Sequence, residues 1–180
     1  MPTANTVQIN LSAAAFPLEM CPQRKAFYAA TRHWAFYPTG SSIVYESSSN
    51  GNTWTGTAYT IYPTDMGFNF SIWYDGSYLN IVESNGQYSG PLIYRRGTPQ
   101  SGGTISWEAE RTIQGGDSNT YMSWDSITKD SDGYPWVAFS DNLNRAYVYK
   151  ATSLDGSSWG DRIPLQGTTT NNYMPLILPL

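Results

Sequence analysis

Asp125 stands between Trp124 and Ser126 in an alternating apolar stretch, and Glu83 ends another, Leu79-Asn80-Ile81-Val82. A carboxylate beside an indole in a shallow funnel suits acid catalysis or recognition of sugar hydroxyls. Asp125 and Glu83 are therefore candidate catalytic residues, and Asp75 is a third acid near a strand of this kind. The competing reading is a strand-end acid bonded to backbone amides. Arg95 and Arg96 read as solvated rim residues. Trp34, Trp73 and Trp124 are candidate ligand-binding residues, because aromatic faces stack on the apolar faces of sugars. His33 and Cys21 are the sole imidazole and thiol. They cannot build the usual four-ligand zinc site, so no metal and no cofactor is expected, and His33 reads as a surface residue.

Composition says what must position these groups. Aromatics make up 15% of the chain and charged residues 13%, with Gly, Ser, Thr and Asn filling most of the rest, a mixture suited to short strands joined by turns. The net charge of −4, with Lys and Arg scattered, leaves no electrostatic footprint for nucleic acid or an anionic membrane surface. No apolar run reaches the ~18 residues of a spanning helix, so no membrane span is expected. The start Met1-Pro2-Thr3 lacks the order of a signal peptide, while low Lys with abundant Thr, Ser, Asn and Tyr leans toward an extracellular or cell-surface protein.

A repeat sets the architecture. Trp54, Trp107 and Trp159 lie 53 and 52 residues apart, each after a β-type triplet ending in tyrosine at 45, 94 or 149, and Met20, Met66, Met122 and Met174 open the apolar segments in phase. Inner strands are predicted at 25–30, 68–73 and 123–128, second strands at 34–37, 78–83 and 136–140, and outer strands at 55–61, 108–113 and 160–165. Gly76 and Asp132-Gly133 are turn residues where positive φ is cheap. The expected fold is all-β: three four-stranded antiparallel β-propeller blades at 19–64, 65–120 and 121–170. Residues 1–18 read as the outer strand of an incomplete blade and 171–180 as the first strand of another.

Two turns share one pattern, Ser48-Ser49-Asn50-Gly51-Asn52-Thr53-Trp54 and Ser153-Leu154-Asp155-Gly156-Ser157-Ser158-Trp159. The Asp or Asn caps turn amides, Gly takes positive φ, hydroxyls close the loop and the indole anchors it. The pattern resembles the Asp-box, or BNR-repeat, sialidase-like β-propellers. It is one residue shorter than that family's motif, and the middle unit keeps little beyond Gly103 and Trp107. The resemblance implies a structural role for Ser48, Asn50, Gly51, Thr53, Trp54, Ser153, Asp155, Gly156, Ser158 and Trp159, on the rim away from any active centre. It also implies, for an active sialidase, an arginine triad that holds the sugar carboxylate, for which Arg32, just past an inner strand, is the candidate, with a Tyr-Glu pair and an Asp near the axis. The Arg-Ile-Pro stretch of that family is absent near the start.

Three functions follow. The first is a non-catalytic, sialidase-like module for glycan or protein recognition. The second is a fragment of a glycoside hydrolase, exo-sialidase-like. The third is a structural subunit that closes a propeller as a homo-oligomer, since three blades make no ring and open sheet edges invite strand addition. Carbohydrate or protein is the expected partner, with the rest of a longer chain or further copies completing the ring.

Overall fold

The computed structural model describes residues 25–39, 42–56, 58–63, 70–84, 90–114, 123–141, 145–165 and 175–179. The readings on Cys21, the four methionines, 1–18, 171–174 and the Trp124 side chain lie outside these.

Alternating aromatic and β-branched runs, punctuated by Gly and Asp turns, pair as three antiparallel meanders. The first holds β1 (Ala26–Ala29), β2 (Arg32–Pro38), β3 (Ser42–Ser48) and β4 (Tyr59–Pro63). The second holds β5 (Phe70–Tyr74), β6 (Leu79–Ser84), β7 (Leu92–Pro99), β8 (Ile105–Trp107) and β9 (Arg111–Gln114). The third holds β10 (Ser123–Lys129), β11 (Pro135–Ser140), β12 (Ala146–Lys150) and β13 (Ile163–Pro164). No helix occurs among the described residues. The sheets span 26–63, 70–114 and 123–164. The second departs from four strands because its outer strand is split: β8 and β9 both pair with β7, at opposite ends, with residues 108–110 between them.

The sheets stack face to face on two apolar layers. Trp34, Phe36, Ile43 and Tyr45 of the first sheet meet Phe70, Ile72, Leu79 and Ile81 of the second. Val82, Leu92 and Tyr94 of the second meet Ile127, Val137, Phe139, Tyr147 and Tyr149 of the third. Two of the periodic tryptophans lock these layers, each edge-on to a tyrosine of the preceding sheet: Trp107 on Tyr45 at 6.4 Å and Trp159 on Tyr94 at 5.4 Å. Tyr149 breaks the expected equivalence. It faces back into the layer with Tyr94 instead of forward, because a one-residue change of phase along a strand turns a side chain to the opposite face.

The ends of the sheets differ. At the lower end, where β1, β5 and β10 finish, tight turns enter the second strands, with Gly76 at φ 97° and Gly133 at φ 87°. The matching turn of the first sheet uses Ala30 and Thr31 at φ 49° and 63°, which is strained, above all for a β-branched residue. The Asp-box-like turns lie at this end too. Asn50 Oδ1 accepts from the amides of Asn52 and Thr53, both at 2.9 Å, and Ser48 Oγ accepts from the Gly51 amide at 2.9 Å. In the other turn Asp155 Oδ1 accepts from the Ser157 amide and hydroxyl, and Trp159 Nε1 donates to the Gly156 carbonyl at 2.9 Å. These bonds hold the Asp155 carboxyl well below the usual carboxylate range. The upper end is where β1, β5 and β10 begin.

Candidate active site

Glu83 and Asp125 meet at the upper end. Glu83 is next to last in β6, opposite Phe70, the first residue of β5. Asp125 lies near the start of β10, inside an irregularity between Ser123 and Ser126 where the pairing with β11 shifts register. Such a bulge re-aims a side chain. β10 packs against both β5 and β6, and the Ile127 amide donates to Ser71 Oγ at 3.3 Å, which fixes the depth of the two strands. Side chains at 125, 127 and 129 therefore face the second sheet.

Both acids are buried, Glu83 at 3% exposure and Asp125 at 1%. Among the described residues neither Asp125 oxygen has a hydrogen-bond partner, nor has the buried Ser84 hydroxyl beside it; Ser84 lies near enough to ease the charge without closing a bond of proper geometry. Burial raises the Asp125 carboxyl to about 7, against the opposing pull of Ser84 and of the Lys25 ammonium. Burial raises Glu83 to about 8, helped by repulsion from Asp125 and then from Glu110. Burial is the leading cause of both shifts, so both carboxyls keep their protons to higher pH than free carboxyls do. Lys25 reaches over from the start of the first sheet, its ammonium bonded to the Phe70 carbonyl and set over the Phe70 ring. Tyr62 adds a buried hydroxyl near Glu83 and Glu110, and burial pushes its phenol well above its ordinary value.

The other sequence candidates are placed apart. Arg32 is at the lower end, where its Nε donates to Ser47 Oγ at 3.1 Å, so it cannot join the acids; the cation that does approach them is Lys25. Trp34 is fully buried, its indole N–H donating to the Ala29 carbonyl at 3.0 Å, and it is a core residue with no face open to a ligand. Trp73 is half-buried and borders an open groove at the lower end. Asp75 lies in that groove, paired with Lys129 at 2.7 Å and held below its usual range by that ammonium and by the Tyr78 and Ser77 amides. His33 is exposed, edge-on to Tyr28 at 4.9 Å. Sequence reasoning missed Lys25, Ser84, Glu110 and Tyr62 as neighbours of the acids. Lys25, which follows Arg24 at the head of an apolar inner strand, was the available signal.

No protein-family model matches the chain, and no curated protein matches it in sequence. Solved structures do match in fold. The native arabinanase of Bacillus subtilis aligns with TM-score 0.54 at 18% identity over 81% of this chain and 55% of that one. The endo-arabinase of Bacteroides thetaiotaomicron gives 0.53 at 15% over 88% and 59%. An exo-β-1,3-galactanase of Clostridium thermocellum gives 0.51 at 16% over 81% and 35%. The chain spans about half the length of the solved structures it matches. At these identities the likeness is one of fold: the three antiparallel sheets are arranged as in β-propeller glycosidases.

Proposed function

We propose that the chain is the acid-bearing part of a β-propeller glycoside hydrolase, acting outside the cell on neutral polysaccharides of the arabinan or galactan type. The observation that carries this reading is the buried Glu83–Asp125 pair at the upper end of the second strand β6 and the inner strand β10. Two carboxyls pushed up by burial, one protonated and one ionised near pH 7, are what a general acid and a general base acting across a glycosidic bond require. The fold likeness to arabinan- and galactan-cleaving enzymes supports the substrate class.

The ring continues past the third sheet in this reading. Ser71 Oγ accepts from the Ile127 amide, and one sheet on, Ser126 Oγ accepts from the Ile177 amide at 2.9 Å. Residues 175–179 thus take the place of an inner strand of the next blade. The 55% and 59% coverage of the two arabinan enzymes agrees with three blades of a five-bladed ring. The turns at 48–54 and 153–159 act as shortened Asp boxes that brace the rim. Their polar groups bond within the turns themselves, so they supply no catalytic group; the second reading is a non-catalytic glycan-recognition module.

Reducing-sugar release from arabinan and β-1,3-galactan by the full chain is the test. Glu83→Gln and Asp125→Asn are each expected to lower turnover by about 10²–10⁴-fold. The rate should follow a bell whose limbs lie near the values of about 7 and 8 of the pair. Equal turnover by all three proteins would remove the pair from the mechanism, and glycan binding without any turnover would select the second reading.

A further inference from the structure

The lower end carries an aromatic groove that the acid pair does not use. It runs between the β5–β6 turn and the β10–β11 turn, with a volume of about 680 Å³, within the ~300–1,000 Å³ range of ligand sites. Trp73 and Tyr78 supply the aromatic wall, Leu154 and Pro179 the far side, and Ser77 and Ser131 place hydroxyls along it.

Its electrostatics select a class of occupant. The two cations at the groove are neutralised within the protein. Lys129 is paired with Asp75 at 2.7 Å, and Arg96 with Glu108 at 2.7 Å while lying 4.3 Å over the Tyr78 ring. Asp130 is likewise engaged, by Lys150 at 2.9 Å and by the Trp136 indole at 2.9 Å. The charge left on the rim is the exposed Asp132 carboxylate. Among the described residues an anionic ligand would meet a negative surplus and no available cation. A neutral one with apolar C–H faces and many hydroxyls fits the aromatic wall and the serine and aspartate acceptors.

Tyr78 is preset for stacking. It is 37% exposed, and the Arg96 guanidinium on its ring fixes its plane. Tyr74, by contrast, is stacked on Phe27 at 4.9 Å with its hydroxyl donating to the Gly76 carbonyl, so it belongs to the support.

We propose that this groove is a second, non-catalytic binding site for a neutral oligosaccharide, on the end of the sheets opposite the acid pair. It holds a polysaccharide chain without cleaving it, and it stands whether or not Glu83 and Asp125 catalyse hydrolysis.

The test is calorimetric titration of the full chain with short arabinan, β-1,3-galactan and cellulose oligosaccharides, with an oligogalacturonate as the anionic comparison. The expected result is binding of at least one neutral oligosaccharide and a weaker response to the anionic one. Tyr78→Ala should weaken binding roughly tenfold. Ser131→Trp, which fills the groove from an exposed turn, should abolish it. The Glu83→Gln/Asp125→Asn double variant should keep a binding event that Tyr78→Ala and Ser131→Trp remove, which separates this site from the acid pair. Unchanged affinity in both groove variants, binding lost with the acid-pair variant, a preference for the anionic oligosaccharide, or no binding by the parent would each overturn the proposal.

Discussion

At the scale of single residues, the chemistry turns on two carboxyls that cannot both stay charged in an apolar layer. Their raised values carry a stability consequence whose sign is fixed. A carboxyl that holds its proton more tightly in the folded state than in the unfolded one, where it titrates near about 4, stabilises the fold at low pH. That contribution is lost as pH rises through the folded values of about 7 for Asp125 and about 8 for Glu83. Stability should therefore fall between about pH 5 and pH 9. Glu83→Gln removes one of the two groups, so its melting temperature should fall less steeply. At about pH 9 it should exceed the parent by roughly 1–2 kcal/mol, or about 3–6 °C. Parallel melting curves across that range would show that Glu83 is not titrating in the fold.

At the scale of elements, the lower-end turns show where local sequence and local geometry disagree. Gly76 and Gly133 take positive φ without cost, whereas Ala30 and Thr31 take it against a Cβ. The loop between Ala29 and Arg32 has two residues, both left-handed, the geometry that Asn-Gly prefers. Ala30→Asn with Thr31→Gly should stabilise the protein by about 0.5–1.5 kcal/mol in denaturant titration. A loss of stability would mean that the Thr31 hydroxyl bond to the Ala30 carbonyl outweighs the strain.

The two Asp-box-like turns are the opposite case, since residue type and geometry agree there. Gly156 is held at φ 69° with Tyr94 so close that a Cβ would clash with its ring, which ties the turn of one sheet to the tyrosine of the sheet before it.

At the scale of the whole molecule, the third sheet presents its far face to residues 175–179, of which Leu176 and Leu178 are 50% and 65% exposed. Leucines at that exposure beside the third sheet make self-association through this face testable. The chain by itself should gain mass with concentration in sedimentation velocity, and Leu176→Asp with Leu178→Asp should suppress that gain. A mass independent of concentration would show that this face is self-sufficient.

The amino-acid pattern alone carried the periodic tryptophans, the alternation within each strand, the order of strands and the chemistry of the turns. All of these are set by neighbours a few residues away, and the inner and second strands fall within a few residues of their expected places. Tertiary structure decided the rest. The split of the outer strand into β8 and β9, the backward-facing Tyr149 and the burial of Trp34 depend on which face a strand shows to the next sheet, and one residue of register reverses that. The meeting of Glu83 with Asp125, and the removal of Arg32 to the other end, depend on how sheets far apart in the chain stack, which no local pattern encodes.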